Sequence, residues 1–68
     1  MQTELLWKAS DCAGNSCPAL RKVVSAEGGY VVIGRVLDPA ARARIPGVGD
    51  GEAALWVPAD VIERARDL

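Results

Sequence analysis

Glycine and proline divide the 68-residue chain into short segments, and this feature limits the fold most. Turn-forming residues lie next to or between the apolar runs at four places: Gly28-Gly29, Asp38-Pro39, Pro46-Gly47 and Pro58. The small polar residues 10–16 mark a further loop. Because glycine and proline favour turns and interrupt regular structure, every helix and strand must be short.

The segment Tyr30–Leu37 is the clearest predicted strand, since it is rich in β-branched residues and apolar on both faces. The run Ala19–Val24 follows Pro18. It is predicted to form a hairpin with Tyr30–Leu37 across the glycine turn. Glu52–Val57 alternates between two faces and is the third predicted strand. Together these segments predict a small antiparallel sheet of about three strands.

Two helices are predicted around this sheet. Asp38 is a good cap and Pro39 fits a first helical position, so a short helix is expected near 39–45, before Pro46-Gly47. Residues 58–68 carry the apolar stripe of an amphipathic helix. Two ion pairs are expected on its outer face: Asp60 with Arg64 and Glu63 with Arg66.

The expected fold class is therefore α+β, in a single domain covering residues 1–68. Its parts are an N-terminal segment with a cysteine-containing loop (1–16), the sheet with its short helix (17–57) and the C-terminal helix (58–68). A chain of this length buries only about 60% of the surface that its unfolded form exposes. A metal, a disulfide or a partner often completes so small a domain.

Cys12 and Cys17 lie five residues apart on a loop rich in glycine, asparagine and serine. Three states are open: two reduced thiols, a disulfide, or half of a zinc site. The chain has no histidine, so further zinc ligands must come from carboxylates or from a second copy. The reduced pair is favoured for a cytoplasmic protein, and we expect no other cofactor.

The chain is not expected to be an enzyme, because without histidine it lacks the commonest general base near neutral pH. The N-terminus shows no signal-peptide pattern, and no apolar run is long enough to cross a bilayer. Cytoplasmic localisation without membrane attachment is the resulting expectation.

The charge distribution suggests where a macromolecular partner would bind. The net charge is −1, but residues 35–47 are mildly basic and residues 48–68 are acidic. Tryptophan and arginine are frequent at binding hot spots. The partner-binding candidates are Trp56, Arg35, Arg42 and Arg44.

Most of the chain resembles a small actinobacterial family of poorly defined biochemistry, which includes the Streptomyces developmental protein BldB. The likeness is carried by Trp7-Lys8-Ala9-Ser10, a polar loop leading to Cys17, a hairpin followed by Asp38-Pro39, and Leu55-x-Val57-Pro58-Ala59-Asp60. The family pattern has Thr where Val57 stands, and a tryptophan in its last helix. The resemblance implies a regulatory partner of a co-encoded helix-turn-helix regulator or toxin, with antitoxin-like behaviour.

A second, local resemblance is to the swapped-hairpin DNA-binding domains of the AbrB and MazE type. It rests on Leu37–Ile45 followed by Gly49-Asp50-Gly51-Glu52 and a strand. It implies a homodimer in which Arg35, Arg42 and Arg44 contact phosphates, although the acidic balance of the chain disfavours DNA binding. The hypotheses are therefore a protein-binding regulatory module, a dimeric DNA-binding domain and a small zinc-binding domain.

Overall fold

The computed structural model describes residues 1–14 and 16–68, and it confirms the α+β class. Three antiparallel strands form the main sheet, and two very short strands form a separate ribbon. The elements in chain order are β1 (Thr3–Lys8), β2 (Ala19–Val23), β3 (Tyr30–Ile33), β4 (Arg35–Val36), α1 (Pro39–Arg42), β5 (Leu55–Trp56), α2 (Ala59–Glu63) and a final 3₁₀ turn (Arg64–Asp67).

The main sheet has the order β1-β2-β3, so its third strand differs from the one that the sequence predicts. The N-terminal segment supplies it, while only Leu55–Trp56 of the predicted strand 52–57 is extended, and it pairs with β4. The pairing of β1 with β2 shifts register between Leu5 and Trp7. Such a bulge disturbs the two-residue alternation, so the sequence pattern of β1 does not reveal a strand.

The predicted hairpin partner of β2 is also interrupted. Gly34 separates β3 from β4, so the expected strand 30–37 consists of two pieces that pair with different neighbours. A glycine inside a strand often marks close approach of another backbone, and the carbonyl of Trp56 lies against Gly34 here.

The core lies where α2 packs on one face of the main sheet. Ala9, Leu20 and Val61 are buried, and Val61 is fully inaccessible to solvent. Trp7 lies beside them and donates a hydrogen bond from Nε1 to the Val61 carbonyl oxygen at 2.8 Å. Side chains that are partly buried complete the cluster: Leu6, Cys12, Val57 and Ala65.

Both predicted helices are present, in shorter form. Asp38 caps α1 as expected, because its Oδ1 accepts a hydrogen bond from the Ala41 amide at 2.8 Å. The amides of Arg44 and Ile45 bond three residues back, so the helical segment ends in a tight turn. The last segment is α2 followed by the 3₁₀ turn.

Both expected ion pairs on the last segment are confirmed. The guanidinium of Arg64 lies 3.2 Å from Asp60, and that of Arg66 lies 3.9 Å from Glu63. Among the helices that the structure describes, none has the length and apolar content needed to span a membrane.

Candidate interaction surface

The ribbon of β4 and β5 brings two predicted binding residues together. Arg35 pairs with Trp56, and Val36 pairs with Leu55. Because residues directly opposite in an antiparallel pair share a face, Arg35 and Trp56 lie on one side and the two aliphatic residues on the other. The guanidinium carbon of Arg35 is 4.7 Å from the centroid of the Trp56 ring, which is a cation–π contact.

Both faces of the ribbon are accessible to solvent. Val36 is 79% exposed, Trp56 is 46% exposed and Leu55 is 41% exposed. An aliphatic side chain as exposed as Val36 gains little from the hydrophobic effect in the isolated chain. Sequence reasoning did not select Val36 or Leu55, although the apolar character of both faces of segment 30–37 was the signal for such a surface.

The two other candidate arginines lie at α1, beside the ribbon. Arg42 is half-buried at the end of α1, and Arg44 is exposed in the turn that follows. Two shallow depressions flank this helix, with volumes of about 310 and 460 Å³. They share Asp38 and Ala41; the first adds Arg35, Val36 and Leu37, and the second adds Ala40, Arg44 and Ile45.

The shared lining places Arg35 and Arg44 on neighbouring parts of one surface. The carboxylate of Asp38 lies between them, but it is engaged by the Ala41 amide as the helix cap. We call the residues of the ribbon and of these depressions the ribbon surface: Arg35, Val36, Leu37, Asp38, Ala40, Ala41, Arg44, Ile45, Leu55 and Trp56.

Cys12 and Cys17 form a disulfide, so the reduced pair favoured from the sequence is wrong for this structure. The reason is long-range: the pairing of Lys8 with Ala19 brings the two ends of the loop together. The Cα atoms of the two cysteines are 5.8 Å apart, within the usual range for a disulfide. Cys17 is buried, and its Sγ lies 3.0 Å from the Gly14 carbonyl oxygen.

A disulfide sulfur is not a thiolate ligand, so zinc binding by Cys12 and Cys17 stays a prediction about the reduced chain. Within the part of the chain that the structure describes, no three cysteine, aspartate or glutamate side chains lie close enough together to hold a metal ion.

The disulfide loop is also attached to the last helical segment. The Ser10 amide donates a hydrogen bond to Oδ2 of Asp60 at 3.0 Å. The Arg64 guanidinium donates one to the Lys8 carbonyl oxygen at 3.3 Å, in addition to its ion pair with Asp60. These contacts hold α2 against the start of the loop; along the chain, α2 follows Pro58 and the ribbon strand β5 precedes it.

The carboxylate of Glu27, in the turn before β3, has a shifted pKa. The Ser25 hydroxyl donates a hydrogen bond to Glu27 and accepts one from the Gln2 amide. The hydrogen bond from Ser25, helped by the backbone amide of Glu27, holds the pKa of that carboxyl below its ordinary value. The hydrogen bond between Gln2 and Ser25 thereby connects this turn to the N-terminal segment. Glu27 is not part of the ribbon surface.

Taken together, these features define a small disulfide-bonded α+β domain with an exposed two-stranded ribbon. Comparisons of the chain with protein-family models, with curated proteins and with solved structures gave no match.

Proposed function

We propose that the chain is a non-catalytic, protein-binding regulatory module that contacts its partner through the ribbon surface. The observation that carries this proposal is the exposed pairing of Arg35 with Trp56 on one face of the ribbon and Val36 with Leu55 on the other. Tryptophan and arginine are enriched among the residues that dominate binding energies at protein interfaces, and the buried core of an interface is more apolar than its rim.

The stacked geometry of Arg35 favours a protein partner. A guanidinium held over an indole ring keeps its N–H donors free at the edge, where they can bond a carboxylate or a backbone carbonyl. Arg44 adds a second cation across the neighbouring depression. A partner that presents carboxylates or carbonyl groups to the face of Arg35 and Trp56 fits this arrangement.

The regulatory part of the proposal rests on the family resemblance of the sequence. The residues that carry this resemblance include Trp7 and the segment Leu55–Asp60. Trp7 packs against the buried core, and Leu55–Asp60 runs from β5 into α2. Under this proposal the partner is a co-encoded helix-turn-helix regulator or a toxin.

The experiment measures binding of the purified chain to the products of the genes that flank its own, one at a time, by calorimetry. Replacing Trp56 by Ala is expected to weaken the cognate complex by about 30-fold, the effect of losing a hot spot of about 2 kcal/mol. Arg35→Ala is expected to weaken it about tenfold. Val24→Ala is the control, because Val24 is similarly exposed but lies outside the ribbon surface.

Equal affinities for the wild type, Trp56→Ala and Arg35→Ala would contradict the ribbon as the binding surface. If none of the flanking gene products binds, the hypothesis of a co-encoded regulatory partner is contradicted.

DNA binding is the alternative, and the position of Arg35 and Arg44 on one surface is the observation that favours it. It predicts an affinity for random duplex DNA that falls steeply with salt, and that drops further when Arg42 and Arg44 are both replaced by Ala. No binding at low salt would exclude this alternative.

A further inference from the structure

Strand β3 forms an open edge of the main sheet. Its only strand partner among the described residues is β2, on one side. The Val23 amide donates to the Gly29 carbonyl, and the antiparallel alternation then makes Val31 and Ile33 the residues that exchange hydrogen bonds with β2. The N–H and C=O groups of Tyr30 and Val32 therefore point outward, to the open edge.

This edge lacks the usual protection against pairing. Proteins commonly protect an edge strand with lysine, proline or a bulge. The sequence of β3 is Tyr-Val-Val-Ile, without charge or proline, and its pairing with β2 is regular. Tyr30 is 52% exposed and Val32 is 37% exposed, so the edge is accessible.

The edge is complementary to itself. If two copies of β3 run antiparallel with Tyr30 of each opposite Val32 of the other, all four outward N–H groups meet outward C=O groups. In that register Val31 of one chain faces Val31 of the other on a two-fold axis perpendicular to the sheet. A closed, isologous pair of this kind is the commonest form of homodimer.

An apolar groove adjoins the edge on one face. It has a volume of about 340 Å³, and the residues that line it have uncharged side chains: Leu20, Tyr30, Ile62, Ala65 and Leu68. Tyr30, Val32 and Leu20 share this face, because Leu20 pairs with Val32 and the next residue on the same face of β2, Lys22, pairs with Tyr30. The two-fold axis places the groove of each chain on the same face of the joined sheet.

The size of the exposed surface leaves room for such an interface. The chain exposes 5145 Å², whereas a compact monomer of 7.2 kDa exposes about 4,100 Å². Its radius of gyration is 13.2 Å, against about 11 Å for a compact domain of 68 residues. The excess, about 1,000 Å², is larger than the roughly 800 Å² that each partner buries in a standard interface.

We propose that the chain forms a homodimer in which two β3 edges join the main sheets into one continuous six-stranded antiparallel sheet. The Tyr30, Ile62 and Leu68 side chains of each copy lie on the shared face next to the joined edges. This surface is distinct from the ribbon surface, so the dimer does not depend on the proposed function.

A charge-exchange experiment at the two-fold axis tests the dimer and its register together. Val31→Lys and Val31→Glu each place like charges opposite one another, which disfavours pairing, and mixing the two variants places opposite charges there. The wild type is expected to dimerise in sedimentation equilibrium. Each variant alone is expected to dimerise at least tenfold more weakly, and the equimolar mixture to recover heterodimer.

The same two substitutions at Leu5 are the matched control. Leu5 lies on the same face as Val31 across the sheet, both being paired with Arg21, but it belongs to the other edge strand, β1. Leu5→Lys and Leu5→Glu are expected to leave the dimer unchanged. Circular dichroism of every variant checks that it is folded.

A wild type that stays monomeric up to about 1 mM would overturn the proposal. So would Val31 variants that remain dimeric on their own, since the dimer would then use another surface. Recovery of heterodimer in the mixture supports the register in which the two Val31 residues face each other.

Discussion

At the scale of single residues, Trp7 joins β1 to α2 both by packing and by a hydrogen bond. Its ring packs against Ala9, Leu20 and Val61, and its Nε1 donates to the Val61 carbonyl at 2.8 Å. A Trp7→Phe substitution keeps an aromatic ring but removes this donor. We expect the free energy of unfolding, measured by urea denaturation, to fall by about 1–3 kcal/mol, because the carbonyl of the buried Val61 is left without this donor.

The matched control is Trp56→Phe, which removes the other indole. The ring of Trp56 is nearly half-exposed on the ribbon, and among the described residues no hydrogen bond from its Nε1 is present. We expect this variant to change stability by less than about 0.5 kcal/mol. Equal losses in the two variants would contradict the role assigned to the bond between Trp7 and Val61.

At the scale of elements, Gly34 determines how the ribbon sits against the main sheet. A Cβ atom at this position would lie 2.7 Å from the Trp56 carbonyl oxygen and 2.7 Å from Cγ1 of Val57. Because the first of these is a backbone atom, Gly34→Ala is expected to displace β5 and to destabilise the chain by about 1–3 kcal/mol. Amide hydrogen exchange at Leu55 and Trp56 is expected to become faster.

Gly14→Ala is the control for this prediction. A Cβ atom at Gly14 would meet nothing within 4 Å, and its φ is not in the left-handed region. Its substitution is expected to be nearly neutral. If Gly34→Ala is equally neutral and leaves exchange at Trp56 unchanged, the close approach of the ribbon to Gly34 is not a real constraint.

The elements that the sequence predicts correctly are those governed by neighbouring residues. Asp38 caps α1 because the acceptor and the amide of Ala41 are three residues apart. The ion pairs of α2 follow from helical spacing in the same way. The position of β1 is not predictable from such rules, because it depends on pairing with β2 across a ten-residue loop and includes a bulge.

The geometry of the ribbon surface was likewise not predictable from neighbouring residues alone. Trp56 and Arg35 could be selected by residue type, but their stacking depends on a pairing between residues 21 positions apart. The break at Gly34 had a local signal, since glycine within a strand often marks close approach. The open β3 edge became apparent only when the third strand of the sheet proved to be β1.

At the scale of the whole molecule, the ends of the chain meet at the loop after β1. The Ser10 amide bonds Asp60, and the Lys8 carbonyl accepts from Arg64, across 50 and 56 residues. The Cys12–Cys17 disulfide closes the same loop, and Cys12 packs against the core that includes Val61. A covalent constraint therefore supports the contacts that hold the last helical segment on the sheet.

This arrangement predicts that reduction weakens the whole domain and not the loop alone. The disulfide closes a loop with a sequence separation of 5, for which chain entropy gives about 2 kcal/mol. That is a large fraction of the few kcal/mol available to so small a domain.

Adding a dithiol reductant is expected to lower the urea midpoint of the wild type and to accelerate amide exchange in α2. The double variant Cys12→Ala/Cys17→Ala should have a lowered urea midpoint like the reduced wild type, and the reductant should not change it. If mass spectrometry shows complete reduction while the urea midpoint stays the same, the disulfide does not stabilise the docking of α2, and the non-covalent contacts of Ser10, Lys8 and Trp7 suffice.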